Sequence, residues 1–170
     1  MRKLNILKTV LDIFWVFSII GVIGTIIFIA FYLFDSDMNI PLKINGQLID
    51  SQTLFSKIIV MVSIFSALMF LYSVYLLRKV ITMFQKMEIF NDEVVRLSNL
   101  IGKLIILSSI ISSVSLYIYN RIEDKNVDLT LDFGASNTLI ISIILGLFFM
   151  VISEIFKIAK NMKEESELTI

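Results

Sequence analysis

The residues of this chain that could carry chemistry are carboxylates in close pairs: Asp35 with Asp37, Glu123 with Asp124, and Glu164 with Glu165. Two carboxylates at one substrate can divide general-acid and general-base work when their surroundings push their proton affinities apart. All three pairs sit in polar segments, where the plain reading is a solvated surface. The chain has no histidine and no cysteine. That removes disulfides, iron–sulfur clusters, thiolate zinc sites, the commonest transition-metal ligand and the commonest general base. The pattern therefore points to a non-enzymatic protein with no cofactor and no metal centre. Two further polar features lie near or within apolar sequence. Glu154, just after an apolar run, is placed to act as a structural polar staple to Arg78, Arg96 or Lys103. The serines Ser108, Ser109, Ser112, Ser113 and Ser115 share one apolar run, and interhelical hydrogen bonding is a plainer role for them than a polar pore.

The elements that must hold these residues are dictated by four stretches without any charged side chain: 13–34, 58–77, 104–120 and 133–153. A charge at a membrane helix centre costs about 2.5 to 3.5 kcal/mol to insert, so four such stretches in a chain that is 18% charged reflect solvation by lipid. At about 1.5 Å per residue they span roughly 26 to 33 Å, close to the roughly 30 Å hydrocarbon core. Each is apolar nearly all round, unlike the one-sided helices of a water-soluble bundle. The first follows Arg2, Lys3 and Lys8 as a secretion signal would, but its apolar region is too long for one and leads through Phe31 to Phe34 into Asp35. It is expected to stay as an anchor. The small residues Gly21 with Thr25, Ser63 with Ala67, Ser108 with Ser112, Ser109 with Ser113, and Ser142 with Gly146 lie four apart and offer close helix packing.

The formal net charge of zero hides an asymmetry. Arg2, Lys3 and Lys8 precede the first run, Arg78, Lys79, Lys86, Arg96 and Lys103 fall in the middle segment 78–103, and Lys157, Lys160 and Lys163 fall in the tail 154–170. Only Lys43, Lys57, Arg121 and Lys125 lie in the segments 35–57 and 121–132. The positive-inside rule then puts both termini and the middle segment in the cytoplasm of a multi-pass protein of the inner, or plasma, membrane. No run of four or more basic residues marks an anionic-lipid cluster or direct nucleic acid binding.

The polar segments carry patterns of their own. Ile40, Leu42 and Ile44 alternate ahead of Asn45-Gly46, a tight-turn dipeptide, and Leu48 and Ile49 follow, predicting a β-hairpin. Val127, Leu129, Leu131 and Phe133 alternate with polar residues, predicting a third strand that completes a small extracytoplasmic cap. On the other side the helices continue past the lipid boundary. Val80, Ile81, Phe84 and Met87 prolong one apolar stripe; Asn91 caps the next helix, with Asp92 and Glu93 suited to its positive end; and Ile155, Phe156, Ala159 and Met162 prolong the last. The expected architecture is an all-α polytopic membrane protein, a single domain over residues 1–170: a four-transmembrane-helix bundle with a β-hairpin or three-stranded cap outside and helix extensions inside.

The stretch Ile89-Phe90-Asn91-Asp92-Glu93-Val94-Val95-Arg96-Leu97 with Ile101-Gly102, and the endings Ser153-Glu154-Ile155-Phe156 and Lys163-Glu164-Glu165-Ser166-Glu167-Leu168-Thr169-Ile170, resemble the signatures of the bacterial four-helix membrane proteins called domain of unknown function 2975. The resemblance spans essentially the whole chain. It departs from the family's middle motif at Ile89, Asn91 and Val94, where proline, threonine and asparagine are common. What the resemblance implies is topology more than chemistry. Its members are often encoded beside a small helix-turn-helix regulator, which implies a cytoplasmic surface that docks or sequesters such a partner. The implied contacts are Phe90, Glu93 and Arg96 in the middle segment and Glu164, Glu165, Glu167 and Leu168 in the tail. The alternative readings are a small transporter or channel, and a structural or stress-related membrane protein. The oligomeric state is not legible.

Overall fold

A computed structural model describes residues 2–34, 42–44, 47–49, 53–122 and 133–168, with side chains at 3–29, 53–119, 121–122 and 138–166. Four long helices follow in chain order: α1 (Arg2–Phe34), α2 (Leu54–Gln85), α3 (Asp92–Ile122) and α4 (Phe133–Leu168). Each has 31 to 36 residues and is long and apolar enough to cross a membrane. At about 1.5 Å per residue they are near 50 Å long, well beyond the roughly 30 Å hydrocarbon core, so their ends project from it. Between α1 and α2 lie two short strands, β1 (Leu42–Ile44) and β2 (Gln47–Ile49). They pair antiparallel with Leu42 opposite Ile49 and Ile44 opposite Gln47. Phe133, expected to end a third strand, instead opens α4. Residues 127–132 lie outside the described residues, so the three-stranded cap finds no support.

The core runs along α3, which packs against both α2 and α4, while α1 packs against α2. Leu76, Val80 and Met83 of α2 meet Val94, Leu97, Ile101 and Ile105 of α3, with Phe149 and Phe156 of α4 against them. Toward the other end, Ile59 and Val60 enclose the fully buried Tyr119, with Phe28 of α1 alongside. Outside these clusters the helices present large apolar side chains to their surroundings. On α1 alone Phe17 is 68% exposed and Ile20 and Ile26 61% each. No water-soluble surface tolerates so continuous an apolar exposure, and a bilayer satisfies it.

Close packing is set by two glycines. A Cβ on Gly102 would strike the Gly146 backbone oxygen, and one on Gly146 would fall 2.7 Å from the Gly102 oxygen. The α3 and α4 backbones therefore touch, as small residues permit in membrane bundles. The other expected small-residue contacts divide. Gly21 has open space around its Cβ position, so the Gly21 and Thr25 pair makes no close approach. Ser66 Oγ donates to the Ser108 carbonyl at 2.6 Å and ties α2 to α3. Ser115 and Ser142 instead donate to carbonyls of their own helices.

Candidate functional site

The start of α1, the connection between α2 and α3, and the end of α4 meet at one end of the bundle. Gln85 Nε2 donates to Asn5 Oδ1 at 2.9 Å, and Arg78 pairs with Asp12, tying α1 to α2. Helix α2 stops abruptly: the Glu88 amide donates to the Met83 carbonyl at 3.1 Å and the Met87 amide to that of Phe84 at 3.2 Å, around Met87 at φ 63°. This is a Schellman termination with methionine where glycine is usual. Asn91 then caps α3, its Oδ1 accepting from the Glu93 amide at 3.0 Å, and Asp92 and Glu93 occupy the first turn. Polar side chains at an amino-terminal turn satisfy free amides and the helix dipole together.

Those two carboxylates are shared among three helices. Lys79 of α2 donates to Glu93 at 2.5 Å. Lys160 of α4 donates to Asp92 at 2.6 Å and also reaches Glu164 at 3.3 Å. The Lys163 ammonium stands 5.6 Å from the centre of the Phe90 ring. Beneath them Phe84 and Phe156 meet edge to face with centroids 5.3 Å apart, and Ser153 Oγ donates to the Val95 carbonyl at 2.7 Å. Segments some seventy residues apart thus form one surface. The individual ion pairs are open to solvent on at least one side, which screens them, so the packed aromatics and the Ser153 bond hold the end more firmly.

Of the residues expected to contact a partner, Phe90, Glu93 and Glu164 lie on this surface, and Glu165 is exposed beside Glu164. Phe90 is exposed, and Glu93 and Glu164 are engaged by lysines. Arg96 stands one turn further along α3, in the wall of a cavity between α2 and α3, and still feels Glu93 through space. The side chains of Glu167 and Leu168, and the pairs Asp35 with Asp37 and Glu123 with Asp124, lie outside the described residues. Glu154 is exposed and has no ion-pair partner among the described residues; Asp12 takes Arg78 in its place. Sequence reasoning missed Asp12, Lys160 and Lys163 as ties. It also missed the cavity, about 720 Å³, lined by Tyr72, Tyr75, Lys79, Arg96, Asn99 and Lys103 among others. Its signal was present: Tyr72, Tyr75 and Lys79 follow at three- and four-residue spacing on α2, and Arg96, Asn99 and Lys103 do so on α3. Among the described residues no group of three or more acidic, histidine or cysteine side chains is arranged to hold a metal.

The family model described as "Protein of unknown function (DUF2975)" matches residues 7–170. No curated protein and no solved structure matches the chain.

Proposed function

The chain belongs to the DUF2975 family, and from that premise we propose that it is a non-enzymatic membrane partner that docks or sequesters a small cytoplasmic helix-turn-helix regulator. In this reading both termini and the connection between α2 and α3 face the cytoplasm, as the distribution of lysine and arginine favours. The observation that carries the proposal is the joint surface of connection and tail. Exposed apolar side chains, Met87, Phe90 and Met162, stand at the same end as the carboxylates of Glu164 and Glu165. An apolar anchor with an acidic rim suits a basic DNA-reading face, which would then be withheld from DNA by charge competition.

The test first looks for a helix-turn-helix gene beside this one, whose absence counts against the proposal, and then titrates its purified product against the full-length chain in lipid nanodiscs. Ending the chain after Met162, or substituting Phe90→Ala, is expected to weaken binding at least about tenfold, a loss of about 1.4 kcal/mol. Operator DNA is expected to compete. Unchanged binding in both variants, or no binding at all, overturns the proposal and leaves the structural role in its place.

A further inference from the structure

We propose that the cavity between α2 and α3 is a binding site for the phosphate-bearing head group of an anionic phospholipid. The inference is independent of regulator docking and rests only on the chain's place in a membrane. Lys79, Arg96 and Lys103 converge on one cavity from two helices. Lys79 is occupied by Glu93 at 2.5 Å, Arg96 feels the Glu93 carboxylate only through space, and Lys103 has no hydrogen-bond or ion-pair partner among the described residues. Arg96 and Lys103 therefore bring two cations without a direct counter-ion to one space, and a bound phosphate would satisfy both. Basic pockets between membrane helices recognise lipid head groups by this chemistry.

The neighbours fit a lipid rather than a small soluble ion. Tyr72 and Tyr75 line the same cavity, and tyrosine is favoured where hydrocarbon gives way to head groups, its hydroxyl available to donate to phosphate. Tyr72 also lines a second, apolar groove of about 320 Å³ between α1 and α2, together with Trp15, Val22, Leu68 and Leu71. A head group among the cations can thus pass an acyl chain beside Tyr72 into that groove. The volume of the cavity, about 720 Å³, is ample for a phosphate with its substituent.

The test measures lipid binding to the detergent-purified full-length chain by native mass spectrometry and thermal shift. Phosphatidylglycerol is compared with phosphatidylcholine of the same acyl chains and with soluble glycerol phosphate. Phosphatidylglycerol is expected to bind and to raise the melting temperature, the other two to do neither. Arg96→Gln with Lys103→Gln should weaken that binding about 25-fold, since each cation near a membrane surface is worth about fivefold. Lys103→Arg should retain it. The control pair Lys86→Gln with Lys157→Gln, exposed at the same end but outside the cavity, and the chain ended after Met162 should bind as the parent does, so failure of regulator docking leaves this result readable. Equal loss in the control pair overturns the site. Soluble glycerol phosphate binding as tightly, with the same dependence on Arg96 and Lys103, overturns the lipid assignment in favour of a free phosphate ester.

Discussion

Helices α3 and α4 meet backbone to backbone, at Gly102 and Gly146, whereas α1 meets α2 through side chains and leaves its own glycines, Gly21 and Gly24, in open space. The two contacts differ in kind. Between α3 and α4 the approach is so close that a methyl group does not fit, and Ser153 adds a hydrogen bond to the Val95 carbonyl. Between α1 and α2 the ties are the Asp12 and Arg78 ion pair, the Asn5 and Gln85 bond, Trp15 against Tyr75 with centroids 5.1 Å apart, and Phe28 packed beside Ile59 and Val60. Lipid tails are as apolar as leucine, so apolar area alone does not drive helices together in a bilayer. Close van der Waals contact and interhelical hydrogen bonds do. By that measure α2, α3 and α4 form the body of the protein and α1 is attached to it. The lipid groove proposed between α1 and α2 lies along that attachment.

The contrast can be broken most severely at the glycines. Gly102→Leu should destabilise the bundle by about 3 kcal/mol, the cost of forcing a side chain into a filled contact, and Gly21→Leu should be close to neutral. Thermal unfolding in detergent reads both, and equal effects would erase the distinction between body and attachment. A smaller effect should follow from Asp12→Asn, which leaves Arg78 without its partner. The pair is part-exposed and worth up to about 1 kcal/mol. Hydrogen exchange should then quicken in the first half of α1 and stay unchanged in α3. Uniform quickening would mean that α1 is integral to the core. The least effect is expected at Met87, whose left-handed backbone glycine adopts without strain. Because its side chain is 61% exposed and little packing is lost, Met87→Gly should stabilise the turn by about 0.5 to 1 kcal/mol. A lower melting temperature would show that Met87 packs as well as turns.

Much of this was legible beforehand, for reasons specific to each element. The four helices are recorded in hydropathy, and the start of α3 in the Asn91, Asp92 and Glu93 cap, because both depend only on residues adjacent along the chain. Phe133 was claimed twice, as the end of a third strand and as the start of the last apolar run, and α4 takes it. The candidate partner residues were half legible. Phe90 and Glu164 lie on one surface, yet the lysines that join their segments, Lys160 and Lys163, look in sequence like ordinary charges of an amphipathic tail.

Small residues and cations show where local information ends. Gly21 with Thr25 and Ser142 with Gly146 are equivalent as spacings, but only Gly146 is pressed against a neighbouring backbone. Lys79, Arg96 and Lys103 form no basic run, yet they line one cavity. By itself the sequence determined that the chain enters a membrane, how many apolar helices it has and where its charges are sorted, since the transfer of a side chain into lipid depends on that side chain and its immediate neighbours. Tertiary structure alone decided which glycine is pressed against a neighbouring backbone and which cations share a cavity, since both depend on the rotation and tilt of one helix against another.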